Sequence, residues 1–214
     1  MKYIRLSFRT VLVTALLLSL GSPVLRAHIP MNQDSLTGSG KLYFVPLGDF
    51  PAATVRELAS FYRKKYGLQI QILPTVQLTQ AAMNPERQQL IAEQAIEIMK
   101  EAYPQLKNDP AAKLIGLTTT DMYIARYDWR FSFSYRDQGK YAVVSSGRMD
   151  LPVVKKPASQ KLILTRLRKM VTKNVGILYY HLPQNDNPRS VLYRNVGGIR
   201  ELDFMGEDFE LEQN

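Results

Sequence analysis

Residues 42–73 read Leu42-Tyr-Phe-Val-Pro46, a short polar link, Ala52–Tyr66, Gly67, and then Leu68-Gln-Ile-Gln-Ile-Leu73. The first run is short, apolar and partly aromatic, as a buried strand requires. Ala52–Tyr66 repeats apolar residues at Val55, Leu58, Phe61 and Tyr62, the spacing of one helix face. Gly67 stands where a helix closes into the left-handed region, which costs glycine nothing. The third run alternates apolar and polar residues and stops at Pro74, so it predicts a half-buried strand. Strand, helix, strand within about 30 residues is the signature of a right-handed crossover between parallel strands.

The same reading extends toward the C-terminus. Asn84-Pro85 has the form of a helix start, with proline at the first helical position, and predicts a helix to about Ala102. Its apolar stripe is Leu90, Ile91, Ala95, Ile98 and Met99. Lys113-Leu-Ile-Gly-Leu-Thr118 and Tyr141-Ala-Val-Val-Ser-Ser146 predict strands. Between them Arg130–Tyr135 (RFSFSY) alternates aromatic and polar residues, as an edge strand or hairpin arm does. Ser159 opens a second long helix with Leu164, Leu167, Val171, Val175 and Leu178 on one face. Lys161, Arg166, Arg168, Lys169 and Lys173 fall on the other, a pattern read here as a solvated basic face. The tail after Pro183 predicts little regular structure and is acidic, with Glu201, Asp203, Glu207, Asp208, Glu210 and Glu212. The expected fold is a single α/β domain: a mixed twisted sheet flanked by two long helices, with an irregular C-terminal part.

Toward the N-terminus the composition changes. Lys2, Arg5 and Arg9 precede the apolar run Val11–Leu20, which Gly21 and Pro23 break before Ala27. That order is the pattern of an export signal over residues 1–27, and the run is short of the roughly 20 residues a membrane span needs. Residues 28–40, containing Thr37-Gly-Ser-Gly40, have linker composition, which leaves 41–214 as the folded domain. The expectation is a bacterial protein that is exported, either periplasmic or secreted. Four of the 28 basic residues lie in the signal, so the remainder carries 24 against 19 acids, a net of +5. The chain has no cysteine, which excludes thiolate metal sites, cysteine nucleophiles and disulfides. It has two histidines, His28 and His181, so most imidazole-based zinc sites are excluded as well.

Few motifs carry chemistry. HExxH, GxSxG and GxGxxG are absent. Ser35–Lys41 (SLTGSGK) looks like a phosphate loop but has no strand before it and no Ser or Thr after Lys41. The aromatic and arginine residues of Tyr127–Arg136 have the composition of a nucleic-acid surface, but strand packing accounts for the alternation, and no nucleic-acid partner is expected. His28 would become the first residue after cleavage at Ala27, where amine and imidazole can chelate copper. A metal site there needs further histidines, and only His181 exists.

Taken in order, several blocks resemble the archaemetzincins, a family of zinc metalloproteases. Leu42-Tyr-Phe-Val-Pro-Leu47 looks like the family's opening strand, and Asn84-Pro85-Glu-Arg87 with Gln89 like the segment leading into its second helix. Lys113–Asp121 with Met122-Tyr123 is similar to its "GVTDVDLY" strand and turn. Phe131-Ser-Phe133 is similar to "NFVFG", and Ala142–Ser146 with Arg148 to "AVVSLARL". The resemblance spans nearly all of 41–213. It implies a metzincin-like fold and places the family's zinc motif, HExxHxxGxxHC, on Thr172–Pro183 (TKNVGILYYHLP). Thr172, Gly176 and Leu182 then stand in the ligand positions, Lys173 in that of the catalytic glutamate, Tyr179 for the glycine and Pro183 for the cysteine. Ser190 and Leu192 stand for a downstream CxM, and Glu210 and Gln213 for a final CxxC.

A zinc hydrolase needs three protein ligands, an open position for water and a carboxylate to take the water's proton. None of the four positions keeps a suitable group, and Lys173 reverses the charge of the base. Sliding the motif so that His181 becomes a ligand brings Val171 and Val175 to the other positions. The expectation is therefore a catalytically degenerate protein with no cofactor, binding a peptide, a protein or an envelope component. The family's cleft is expected along a sheet edge at Ala142, Val143, Val144 and Ser145, where an extended chain could add as a strand. Two alternatives stand beside it. One is a zinc peptidase with a non-standard ligand set that includes His181. The other is a membrane-surface or polyanion binder acting through the basic helix, membrane contact otherwise requiring an uncleaved signal.

Overall fold

The computed structural model describes residues 36–152 and 157–209. The expected signal, His28, Glu210 and Gln213 lie outside the described residues.

Strand β1 (Lys41–Pro46) leads to helix α1 (Ala52–Tyr66) and strand β2 (Ile70–Ile72), which pairs parallel to β1. Gly67 closes α1 at φ 64°, its N–H bonding back to the Arg63 and Tyr62 carbonyls. The chain then forms a small second sheet from β3 (Met83–Asn84) and β4 (Gln89–Ile91) before helix α2 (Ala92–Ala102) and the single turn α3 (Pro104–Lys107). Strand β5 (Ala112–Thr118) enters the main sheet beside β1, and β6 (Met122–Tyr123) joins β4. Strands β7 (Ser134–Asp137) and β8 (Tyr141–Ser145) form a hairpin. Helix α4 (Gln160–Leu178) and the short α5 (Ile199–Phe204) complete the chain.

The main sheet has the order β2-β1-β5-β8-β7, parallel except for β7. Side chains alternate across it and build two apolar layers. Phe44, Ile115, Ala142 and Val144 meet Leu58 and Tyr62 of α1 and Leu167, Val171 and Val175 of α4. Val45, Leu114 and Val143 meet Ala95, Ile96 and Met99 of α2 on the opposite face. The expected mixed sheet flanked by long helices is what the chain forms.

Four local expectations are corrected. Asn84-Pro85 does not start a helix: the Asn84 side-chain oxygen accepts from the N–H groups of Glu86 and Arg87, both at 3.0 Å, making a turn between β3 and β4. Leu90 and Ile91 therefore belong to a strand, and α2 begins at Ala92. Arg130–Tyr135 is mostly connection, with β7 beginning at Ser134. Ala142, Val143, Val144 and Ser145 do not form an edge, because β8 is paired to β5 on one side and β7 on the other and is fully buried. The antiparallel β7 is the edge on that side.

The fourth correction concerns charge. The supposed solvated face of α4 is interior: Arg166, Lys169 and Lys173 are 0%, 7% and 3% exposed. Arg166 forks onto Asp203 and also donates to the Met149 and Leu151 carbonyls. The Lys169 ammonium donates to the carbonyls of Leu202 and Asp203, and Arg168 pairs with Glu207. The acidic tail is the counter-charge of this helix, so α4 presents no basic surface of the kind the membrane or polyanion reading required. Of the five residues, Lys161 alone is exposed.

Candidate functional site

Serine at the N-cap starts α4, its hydroxyl oxygen accepting from the Leu162 N–H at 3.2 Å. The helix then runs against the sheet, packed on two further sides and facing a cleft on a third. On the α1 side, Tyr62 donates to the Arg168 carbonyl at 3.1 Å, and the Thr172 hydroxyl lies 2.9 Å from the Tyr62 oxygen. Burial pushes the Tyr62 phenol well above its ordinary range, so it stays protonated as that donor. On the tail side, Gly176 lies against Phe209 and Leu192. A Cβ at Gly176 would sit 2.6 Å from the Phe209 ring and 3.0 Å from Leu192. Phe209 is itself packed edge-on to Tyr180 at 5.6 Å, whose hydroxyl burial pushes up to about 12.

The third side of α4 faces a cleft of about 780 Å³, bounded by the 124–133 connection, β7, and residues 194–197. Met170 and Lys173 reach it from the helix and Arg136 from the edge strand. The Lys173 ammonium donates to the Tyr193 carbonyl. Burial, reinforced by the Arg136 charge, lowers its pKa to about 7. Arg136 donates from Nη1 to the Asn174 side-chain oxygen and from Nη2 to that of Gln184, both at 3.1 Å. Its pKa too is lowered by burial. Asn174 is held in turn by a 2.7 Å bond to the Met170 carbonyl. At the mouth, Tyr127 and Trp129 stack at 4.6 Å and are 46% and 54% exposed.

The residues assigned by resemblance are thus not gathered at one place. Lys173 lines the cleft, whereas Thr172 and Gly176 turn into the packed interior, and Leu182 is half-buried against that core. Tyr179 continues the helix in the right-handed region, and the chain instead turns at His181, φ 55°. His181 is exposed and pairs with the Ser39 hydroxyl at 2.7 Å, away from Lys173's partners. Ser190 organises a local turn, its oxygen accepting from Leu192 N–H and the Asn185 amide. Ala142–Val144 and Ser145 are internal to the sheet, and the Ser145 hydroxyl donates to the Thr120 carbonyl at 2.6 Å.

The donor set does not suit zinc. The space a side chain at Gly176 would need is filled by Phe209 and Leu192, and the Thr172 hydroxyl is engaged by Tyr62. Moving the motif one residue toward the C-terminus puts Lys173 on the cleft side as first ligand, but brings Ile177 and Pro183 to the other two positions. Neither register supplies an imidazole or a carboxylate. Among the described residues, no group of three or more His, Cys, Asp or Glu comes together as a metal cluster.

Nothing in the spacing of Arg136, Asn174 and Gln184 joins them in the sequence, because they meet only once the strand and helix are docked. The aromatic pair lies in the stretch that the sequence assigned to strand packing. Phe133 and Tyr135 do pack as strand aromatics should, but Tyr127 and Trp129 precede the strand and have no sheet face to fill.

Sheet order, helix placement and the cleft between edge strand and α4 define a single mixed α/β domain. No protein-family model matches the chain. It is 29% identical to the archaemetzincin of Natronomonas pharaonis over 167 residues, 77% of this chain and 91% of that protein. It is 28% identical to that of Haloquadratum walsbyi over the same length. Among solved structures it is similar to the archaemetzincin of Archaeoglobus fulgidus complexed with malonate, with a TM-score of 0.60 and 23% identity, covering 79% and 94% of the two chains. It is also similar to a zinc-dependent peptidase from Methanocorpusculum labreanum, with a TM-score of 0.62 and 18% identity, covering 78% and 95%. The chain is thus similar in sequence to archaemetzincins and shares their fold.

Proposed function

We propose that this protein is an exported, non-catalytic member of the archaemetzincin lineage that uses the inherited cleft to hold an extended peptide or protein segment. The observation that carries the reading is the contrast between the two sides of α4. The positions for metal ligands hold Thr172 and Gly176, closed in by Tyr62, Phe209 and Leu192. The cleft beside them is open, about 780 Å³, and bordered by an antiparallel edge strand. A free strand edge offers main-chain donors and acceptors to an added strand, and pockets alongside it give side-chain selectivity. The exposed Tyr127–Trp129 pair supplies rigid apolar contact area at the mouth. Lys173, standing beside the cleft, has no capacity to act as the carboxylate base of a zinc hydrolase, and its charge opposes a dication. An export signal over residues 1–27 would put the protein in the periplasm or outside the cell, where its partner would be a peptide or an envelope component.

Two measurements on the purified, dialysed protein test this. Elemental analysis should find zinc well below one equivalent, and generic peptide substrates should remain uncleaved with or without added zinc. Stoichiometric retained zinc, or turnover that a chelator abolishes, overturns the reading.

A further inference from the structure

The cleft has an unusual floor. Lys173 and Arg136 are both largely withdrawn from water and near enough for the arginine charge to disfavour protonation of the lysine. Their partners are all neutral: the Tyr193 carbonyl, and the side-chain amides of Asn174 and Gln184. Among the described residues neither makes a salt bridge, whereas two other cations of α4 do. Arg166 is forked on Asp203, and Arg168 is on Glu207. The wall adds more positive than negative charge. Arg130 and Arg194 line it, with Arg194 paired to Asp186 at 2.8 Å, and Asp128 is the one acid in the lining.

Two like charges gathered in a partly dry site are costly unless an anion joins them. The guanidinium is fixed by two amide acceptors, which leave the remaining N–H groups of its fork to a ligand, and a planar carboxylate matches that fork. We infer that Arg136 and Lys173 form a carboxylate seat at the floor of the cleft, so that the segment bound along β7 is one carrying a carboxylate. This rests on the peptide-binding reading and gives it a chemical specificity. The carboxylate has two sources, the C-terminus of a chain or an acidic side chain within it. A lone small anion would leave most of the cleft unfilled, whereas an extended chain beside β7 reaches the floor and the Tyr127–Trp129 rim together.

Trp129 is the sole tryptophan of the chain and lies at the mouth, so its fluorescence reports occupancy. Three N-acetylated alanine tetrapeptides serve as probes for the full chain: one with a free C-terminal carboxylate, one amidated, and one amidated with an internal glutamate. The carboxylate-bearing peptides should bind at least about 10-fold more tightly than the neutral amide, the effect of one charge-assisted contact. Preference for the free terminus over the glutamate peptide, or the reverse, identifies the source. Arg136→Gln and Lys173→Met should each bring the affinity ratio of carboxylate to neutral peptide close to one, and Arg136→Lys should keep part of the preference. Lys173→Met provides the test if Arg136→Gln does not fold, since it removes a buried charge. Equal affinity for all three peptides overturns the seat but keeps the peptide cleft. A tryptophan signal that responds to none of them at millimolar concentration overturns both.

Discussion

Arg166 and Asp203 meet as a two-bond fork, Nε and Nη2 each donating to one carboxylate oxygen at 2.7 Å. Arg166 is fully buried and Asp203 is 28% exposed, so the pair joins the inside of α4 to the short helix of the tail. Removing one partner strands the other. Asp203→Ala should lower unfolding free energy by about 3 kcal/mol in denaturant titration, because the guanidinium keeps only the Met149 and Leu151 carbonyls. Replacing both residues with apolar ones should recover a substantial part of that loss, which a double-mutant cycle would read as strong coupling.

Gly176 tests the claim that the tail fills the space beside α4. In a helix interior, alanine is ordinarily better than glycine by about 1 kcal/mol. Here Gly176→Ala should destabilise by about 1–2 kcal/mol, since its methyl would meet the buried Phe209 ring at 2.6 Å. Combining it with Phe209→Leu should relieve the clash, so that the alanine becomes less harmful in the double variant than in the single one.

Lys173 makes stability depend on pH in a definite direction. Folded, it titrates near pH 7; unfolded, near the ordinary lysine value of 10.5. Between those values the unfolded chain binds the extra proton, so stability rises with pH across this window, by up to about 1.4 kcal/mol per unit. Below pH 7 the full penalty of the buried ammonium is present. The advantage of Lys173→Met over the parent should be greatest near pH 6 and shrink toward pH 10 in paired denaturation curves. Taking the difference isolates Lys173 from Lys169, whose pKa burial also lowers. The charge acting on the group is Arg136 on β7, and Arg126, Asp128, Arg130 and Arg194 also line the cleft.

His181 separates a structural role from a metal role. It holds φ at 55°, a conformation most residues resist, and its ring pairs with Ser39. His181→Gly should leave stability within about 1 kcal/mol, the lost contact being offset by relief of the backbone, while His181→Val should be worse than either. Zinc content should be unchanged in all three. Metal retained by the parent and lost in His181→Gly would restore the non-standard zinc site.

The parts of the fold readable from sequence are those whose signal is local. Ala52–Tyr66 and Gly67 declare a helix and its end within 16 consecutive residues, and the structure has both. Asn84-Pro85 misleads because a side-chain oxygen can cap a turn as readily as a helix, and only the pairing of Leu90 with Met122 decides between them. The charges of α4 mislead for a related reason. A helical wheel shows that Arg166 and Lys169 share a face but not that Asp203 lies 37 positions away to meet the arginine. Arg136 and Lys173 come from a strand and a helix remote in sequence, so the site exists only once the sheet edge and α4 are docked. The scaffold was recognisable from blocks spread along the chain, whereas the floor of the cleft depends on contacts no block contains.

The pairing of α4 with the tail also orders events during synthesis. Helix α4 ends at Leu178, but Asp203 and Glu207 follow it by some 25–30 residues of chain. Until that stretch has emerged, Arg166 and Arg168 lack their carboxylate partners, and α4 cannot bury Arg166 without stranding its charge. The inner face of α4 can therefore close around a neutralised Arg166 only once Asp203 has arrived, and a chain interrupted before it would leave that guanidinium without its carboxylate.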